Sequence, residues 1–251
     1  MINIPNNGFG SIKKLNDEFE VIKKYLEAYL LEEFTKLKKM DSYALLFKLM
    51  NSKNTAILNF NYTDTVKKYL TLDLKSQLIQ IHGELNSEKN PIIFGYAAND
   101  EESRDLLDKE DNEYMRNIKK HNYKRTSSEN QLIEYLDNTK EIDIHILGHS
   151  CGISDKLILN QVLNHKNVNS IRVYYYKGHE SYFNAQVNID RIMNNDKNFK
   201  KLVNFQECVE MPQYNREVNG FDEYIEGIVE RQKKDFNSRT EVYYTEEREV
   251  F

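Results

Sequence analysis

The sequence predicts an α/β fold in which helices flank a mainly parallel sheet. Short, apolar, β-prone runs alternate along the chain with longer segments of helical periodicity, and this alternation is typical of βαβ units. The runs are apolar on both faces, as strands buried in a parallel sheet are. Each run ends abruptly in polar and small residues. Those residues mark the carboxyl ends of the strands.

The composition narrows the function classes. The 251 residues carry 35 basic and 40 acidic side chains, and the net charge of −5 argues against a nucleic-acid partner. Two cysteines are too few for a disulfide scaffold. No signal-like segment opens the chain, and no apolar run approaches the roughly 20 residues of a membrane span. We therefore expect a cytoplasmic protein without a membrane partner.

Residues 1–54 are predicted to form an N-terminal helical segment. Apolar residues recur at three- and four-residue spacing from Leu15 to Leu37, which predicts a helix reaching about Lys39. A shorter helix is predicted from Asp41 or Ser42 through Met50.

Residues 55–211 are predicted to form the α/β core. The expected strands are Ala56–Phe60, Leu78–His82, Pro91–Gly95, Ile142–Leu147, Ser170–Tyr176 and Leu202–Phe205. The expected helices are Asp64–Leu70, a helical region over Asn99–Asn122, Ser127 or Ser128 to Leu136, Asp155–Leu163 and Ala185–Met193. Residues 212–251 add one amphipathic helix, Asp222–Phe236, and a charged tail, packed on or extending from the core.

Polar side chains follow three of the predicted strands. In open α/β sheets, ligands bind at the carboxyl ends of the strands. We therefore expect these residues to converge on one crevice: Asn59, Asn61, Tyr62, Asp64, His82, Gly148, His149 and Ser150.

Asn59 and Asn61 point to the same face of an extended segment, because one residue separates them. Two carboxamides at a strand end can hold ribose hydroxyls or orient a water molecule. Alternatively, they cap the helix that begins at Asp64.

His82 follows the second strand and can act as a base toward a ribose hydroxyl or water. Gly83, directly after it, permits a positive φ or the close approach of a ligand. A histidine with a purely structural role is the alternative interpretation.

Gly148, His149 and Ser150, with Gly152 and Asp155, form a predicted strand–turn–helix that can bind an anion or a ribose. The glycine spacing does not fit a nucleophile elbow, so a serine hydrolase is not expected. The histidines and Cys151 lack the paired spacing of metal ligands, and no metal is expected.

Taken together, the three motifs resemble the AbiH-type bacteriophage abortive-infection proteins, a family similar to the sirtuin-like domains of bacterial defence NADases. The three motifs are Asn59-Phe-Asn-Tyr-Thr-Asp64, Ile81-His-Gly83, and Leu147-Gly-His-Ser150 with Asp155. The resemblance implies a sirtuin-like, Rossmann-like sheet. It implies that Asn61 and His82 are catalytic. It also implies a nucleotide site formed by Asn59, Tyr62, Thr63, Asp64, Gly83, Gly148, His149, Ser150 and Asp155. Thr63 stands where the sirtuin-like pattern has an aspartate.

The start of the chain departs from the family pattern. Family members open with a strand ending in Gly-Asn-Gly-Phe-Asp, and here only Asn7-Gly-Phe-Gly10 echoes it. Met1–Pro5 is too short and too polar for a central strand. Gly8 and Gly10 are only a weak indication of a phosphate-binding loop. The expectation is a chain without the phosphate-loop strand: a fragment, a diverged short member, or a subunit completed by a second polypeptide. Assembly into a homo-oligomer is a further alternative.

The resemblance implies an anti-phage defence protein with an NAD-type crevice, in which water cleaves the nicotinamide–ribose bond. NAD would then be the substrate rather than a retained cofactor. The alternative is a non-enzymatic sensor or scaffold that binds a nucleotide or a phage component.

Overall fold

The chain adopts a mixed α/β fold with short parallel strand pairs, described by a computed structural model for residues 11–36, 38–51, 55–69, 77–193, 196–213, 218–228 and 230. The strands are β1 (Ala56–Asn59), β2 (Gln77–Gln80), β3 (Ile142–Leu147) and β4 (Val168–Tyr174). The helices are α1 (Ile12–Lys36), α2 (Asp41–Asn51), α3 (Asp100–Leu107), α4 (Lys119–Asn122), α5 (Ser128–Asn138), α6 (Lys156–Leu163), α7 (His179–Met193), α8 (Asp196–Phe199) and α9 (residues 221–228).

The strands form two parallel pairs. β1 pairs with β2, with Ala56 opposite Gln77, and β3 pairs with β4, with Leu147 opposite Tyr174. Single parallel bridges continue the second pair from β4 to Leu202 and from Tyr175 to Glu210. Within the described ranges, no strand pairing joins β1–β2 to β3–β4. The parallel direction predicted from the apolar runs is confirmed, whereas one continuous sheet is not observed.

Both strand pairs share one hydrophobic core. Ile79 of β2 and Ile146 of β3 belong to the same buried cluster. Ile158 of α6 and Ile189 of α7 join this cluster and are fully buried. The shared core holds the carboxyl ends of β2 and β3 in one region of the molecule.

The helices before and after the core pack onto it. Leu46 of α2 and Phe221 of α9 form a second buried cluster with Tyr174 of β4. On α1, the buried Asn16 side chain donates to the Glu113 backbone oxygen at 2.8 Å. These contacts attach the predicted N- and C-terminal segments to the α/β core. The segment boundaries at residues 54 and 211 stay predictions.

Several predicted elements differ from those observed. Instead of a helix over Asp64–Leu70, there is a short 3₁₀ turn, Thr65–Lys68. The predicted Pro91–Gly95 strand is not a strand in the structure; its Ile93 N–H donates to the His82 carbonyl in the turn after β2. Leu202–Phe205 makes one bridge to Ile171 and then turns into a 3₁₀ segment.

The predicted helical region Asn99–Asn122 is divided. A capping box formed by Asn99 and Glu102 starts α3 at Asp100. α3 ends at Leu107, and a positive φ of 55° at Glu110 separates it from a 3₁₀ turn, Asn112–Tyr114, and from α4. The echo of the family's first loop at Asn7–Gly10, the end of the predicted Asp222–Phe236 helix and the charged tail lie outside the described residues.

Among the described helices, none combines the length and the apolar character needed to cross a membrane.

Candidate functional site

The loop after β1 is organised by Asn59. Its side chain is buried, with 6% of the residue exposed. Its Nδ2 donates to the Thr63 carbonyl at 2.9 Å, and its Oδ1 accepts from the backbone N–H of Asn61 at 3.0 Å. The exposed Asn61 side chain also donates to Asn59 Oδ1, at 3.3 Å. Asn59 therefore shapes the loop from inside, while Asn61 lies at the surface.

The other predicted residues of this loop have separate partners. The Tyr62 hydroxyl donates to the Ile93 carbonyl at 3.4 Å, and burial, with the nearby Asp155 charge, raises the pKa of Tyr62 to about 12. The Thr63 hydroxyl contacts the Thr65 hydroxyl at 3.0 Å. Asp64 forms an ion pair with Lys67 at 3.2 Å and makes no capping hydrogen bond to the 3₁₀ turn that follows.

His82 lies just beyond β2 with only 5% of the residue exposed. Its Nδ1 is 3.0 Å from the Phe60 carbonyl. A carbonyl can only accept, so Nδ1 carries a hydrogen and donates. Its Nε2 lies 3.0 Å from the Tyr123 hydroxyl and 3.1 Å from Asp155 Oδ1. A neutral ring accepts at Nε2 from Tyr123, and a protonated ring donates there to Asp155.

Gly83 has a φ of +87°, and a Cβ at this position would lie 2.3 Å from the carbonyl oxygen of Pro91. The positive φ expected at this glycine is observed. The group that approaches it is the Pro91 backbone.

The turn after β3 combines two residues with positive φ, Gly148 at +66° and Cys151 at +52°. Between them, His149 is half-buried, and its Nδ1 accepts from the backbone N–H of Cys151 at 3.0 Å. Nε2 of the neutral ring therefore carries the hydrogen and donates to Asp155 Oδ2 at 3.4 Å. Ser150 is exposed, and its carbonyl accepts from the Asn188 side chain at 2.8 Å.

Asp155, at the start of α6, joins these strand ends. One carboxylate oxygen faces His82 and also accepts from Lys119 Nζ at 2.7 Å, while the other faces His149. Its side chain is 12% exposed. Burial alone would raise the pKa of this carboxyl, but hydrogen bonds from His149 and Lys119, and from His82 when its ring is protonated, hold the pKa far below its ordinary range. Asp155 is thus ionised at neutral pH.

We call Asp155, His82, His149, Lys119 and Tyr123 the Asp155 cluster. It brings together the turns after β2 and β3. The end of β1 reaches it through the Phe60 ring, whose centroid lies 4.2 Å from the His149 ring and 5.3 Å from the His82 ring. Three of the predicted strand ends therefore meet at one place.

Lys119 and Tyr123 were not expected from the sequence. Lys119 is buried, with 8% exposed, although it sits in a strongly charged stretch that predicts a solvated helix. Tyr123 is 2% exposed, and burial, with the Asp155 charge, raises the pKa of its hydroxyl above its ordinary range. No local pattern in the sequence marks either residue as part of a site.

Cys151 is fully buried beside the cluster, and burial, with the Asp155 charge, raises the pKa of its thiol to about 12. A thiol of this kind is a poor nucleophile and metal ligand. Over the part of the chain that the structure describes, no group of three or more His, Cys, Asp or Glu side chains is placed to hold a metal ion.

Comparison with known proteins identifies the family. No curated protein and no solved structure matches the chain. The family model described as bacteriophage abortive infection AbiH matches residues 9–177, a range that contains every residue of the Asp155 cluster. Because this match covers more than half of the 251 residues, the chain belongs to the AbiH family of bacteriophage abortive-infection proteins.

Proposed function

We propose that the protein acts in anti-phage defence by binding an NAD-type dinucleotide at the Asp155 cluster and hydrolysing its nicotinamide–ribose bond. The proposal includes a sirtuin-like, Rossmann-like arrangement of the strands around this crevice. The observation that carries it is the meeting of the ends of β1, β2 and β3 around one buried carboxylate. Loss of the dinucleotide would halt an infected cell.

The chemistry needs few groups. Cleavage breaks the bond between C1′ of the ribose and the ring nitrogen of nicotinamide, and the electron pair leaves with nicotinamide, which departs neutral without protonation. The ribose passes through an oxocarbenium-like transition state, as in glycoside hydrolysis. Water then bonds to C1′ and loses one proton. A fixed anion near the developing positive charge favours this transition state, and Asp155 is such an anion.

His82 is the proposed proton acceptor. Its Nδ1 is committed to the Phe60 carbonyl, so Nε2 must take the proton, either directly or through the Tyr123 hydroxyl. The imidazolium that results faces the Asp155 carboxylate 3.1 Å away, which stabilises it. The exposed Asn61 carboxamide is the proposed group that orients the water.

A second candidate function is a nucleotide sensor or scaffold without turnover. The observation that favours it is the burial of His82, whose two ring nitrogens already contact protein atoms. In that case the Asp155 cluster would fix the shape of the crevice and carry out no chemistry.

One experiment separates the two functions. The full chain is incubated with NAD, and released nicotinamide is measured by chromatography, with binding measured separately by calorimetry. For the enzyme, His82→Ala should lower the rate by about 10²–10⁴ while the far-UV circular dichroism stays unchanged. His165→Ala is the matched control, because His165 also faces a carboxylate, Asp137, at 3.3 Å, outside the cluster.

Binding of NAD without nicotinamide release would favour the sensor. Unchanged turnover in His82→Ala would remove this residue from the mechanism. If millimolar NAD is neither bound nor consumed, the proposed dinucleotide crevice is wrong.

A further inference from the structure

A polar cavity of about 310 Å³ shares no lining residue with the Asp155 cluster. It is open to solvent and is lined by β2, the loop that follows it and the amino end of α5. Its lining includes Gln80, Asn90, Lys67, Lys89, Ser127 and Ser128. None of these residues belongs to the proposed dinucleotide crevice.

Two buried acceptors at this cavity have no donor among the described residues. Gln80 is 6% exposed; its Nε2 donates to the Thr63 carbonyl at 3.4 Å, and its Oε1 has no partner. The Nδ2 of Asn90 donates to the Gln80 carbonyl at 3.1 Å, and its Oδ1 likewise has no partner. Exchanging nitrogen and oxygen in either amide would place two acceptors face to face, so the unpartnered atoms are oxygens.

Unpartnered buried polar atoms are rare in native proteins, and a bound group that supplies the missing donor is one of their explanations. Both side chains line the cavity, so a ligand held there is a source of the missing donors. Two such acceptors suit a ligand that carries more than one hydroxyl or amine.

The lining also carries positive charge. Lys67 and Lys89 contribute two ammonium groups, of which Lys67 pairs with both Glu84 and Asp64. Ser127 and Ser128 place the start of the 11-residue helix α5 at the cavity, and the Ser127 side chain makes no capping hydrogen bond. The Ser128 N–H donates to the Thr126 hydroxyl at 3.4 Å, and the Ser127 hydroxyl accepts from Gln131 at 3.2 Å. The dipole of a helix N-terminus beside an ammonium group favours a bound phosphate.

Two carboxylates near the lysines and α5 already have partners. Asp64 forms an ion pair with Lys67 at 3.2 Å. Glu129, in the first turn of α5, accepts from Lys124 at 2.6 Å and from Gln161 at 2.9 Å. Over the described part of the chain, Lys89 has no ion-pair partner. Its ammonium group is therefore the one available to an incoming anion.

We propose that this cavity binds a phosphorylated sugar. The phosphate would lie against Lys89 and the first turn of α5, and sugar hydroxyls would donate to Gln80 Oε1 and Asn90 Oδ1. Among the described residues, the lining includes no aromatic ring, and Leu78 is its only apolar member. A nucleobase would lack a stacking partner there, which favours a sugar phosphate over a nucleotide.

The test is calorimetric titration of the full chain with ribose 5-phosphate, compared with ribose and inorganic phosphate, which each present one half of the ligand. Ribose 5-phosphate should bind at least tenfold more tightly than either half. Gln80→Met should weaken binding of ribose 5-phosphate at least tenfold, and Lys89→Met should weaken it without affecting ribose.

Gln161→Met is the matched control. Gln161 also has a buried, unpartnered Oε1, but it is absent from the lining of this cavity. Each glutamine variant removes one unpartnered acceptor and one donated hydrogen bond, to the Thr63 carbonyl from Gln80 and to Glu129 from Gln161, where Glu129 keeps its bond from Lys124. Both variants keep a similar side-chain volume and should fold, which thermal unfolding checks. Gln161→Met should change the affinity for ribose 5-phosphate less than twofold.

Three outcomes would overturn the proposal: no binding of ribose 5-phosphate by the unaltered chain, unchanged affinity in Gln80→Met, or equally tight binding of inorganic phosphate alone. Tighter binding of adenosine monophosphate than of ribose 5-phosphate would overturn the assignment to a sugar. His82→Ala leaves this lining intact and should keep the affinity, so the cavity and the dinucleotide crevice can fail independently.

Discussion

Asp155 is the residue on which the candidate site depends most. It is a nearly buried carboxylate that faces two imidazole rings and one ammonium group. Removing one member of a buried ion pair lowers the free energy of unfolding by more than the intact pair contributes to it, because the remaining charge stays buried without its partner. In Asp155→Asn, Lys119 would keep its charge at a position where only 8% of the residue is exposed.

We predict that Asp155→Asn lowers the free energy of unfolding by about 3–5 kcal/mol at neutral pH. The pKa of Asp155 is lower in the folded chain than its ordinary value of 3.8. The contribution of the Asp155 carboxylate to the free energy of unfolding is therefore complete above pH 4–5 and is lost as the pH falls below about 4. Urea unfolding between pH 2 and pH 7 should show a shallower acid decline for the variant than for the unaltered chain.

Asp137→Asn is the control for this measurement, because Asp137 also faces a histidine but its side chain is 55% exposed. An exposed pair of this kind contributes about 1 kcal/mol or less. Equal losses of stability in the two variants would show that burial does not set the strength of the Asp155 interactions.

Among the elements of the fold, the close contact between the turn after β2 and the segment at Pro91 positions His82. The His82 carbonyl accepts from the Ile93 N–H at 2.7 Å, directly beside Gly83. The two backbones approach so closely that no side chain fits at Gly83. The glycine therefore sets the path of the chain on both sides of the histidine.

We predict that Gly83→Ala destabilises the fold by about 3 kcal/mol or more, because it adds a steric clash to the strain of positive φ. The control is Gly178→Ala, which has a φ of +81° but no atom within 4 Å of the added Cβ. It should cost only about 1–2 kcal/mol. Urea midpoints of the two variants measure the difference, and similar midpoints would mean that the Pro91 segment moves aside at little cost.

Across the molecule as a whole, the two strand pairs are separate ladders held together by a common core and by the Asp155 cluster. Both cysteines of the chain, Cys151 and Cys208, are free thiols in that core. Burial raises the pKa of both thiols, that of Cys151 to about 12. The native thiols are thus buried and largely protonated near pH 8.

We predict that neither thiol reacts with an aromatic disulfide reagent at pH 8 until the urea concentration at which far-UV circular dichroism is lost. Both should then react together, because one core unfolds as a unit. In Cys208→Ala, Cys151 is the remaining reporter and should still react in the same transition. Reaction of Cys151 at lower urea would show that the end of β3 opens before the rest of the fold.

The amino-acid sequence alone predicts the mixed α/β class, and it predicts the carboxyl ends of β1, β2 and β4 to within two residues of those observed. Strand Ile142–Leu147 is predicted with the bounds observed, because a short apolar run that ends in Gly148 is a local pattern. Asn59, His82, His149 and Asp155 are also identified as site candidates, since polar residues after an apolar strand are visible in the sequence. The family follows from the order of those motifs.

Which groups meet in the site depends on the tertiary packing. Lys119 lies 36 residues from Asp155, and Tyr123 lies 41 residues from His82. No periodicity or spacing encodes contacts over such separations, because they depend on how the elements pack. The same is true of the roles of Asn59 and Gly83. The sequence places both at strand ends, but packing determines that Asn59 bonds to its own loop and that Gly83 faces the Pro91 backbone.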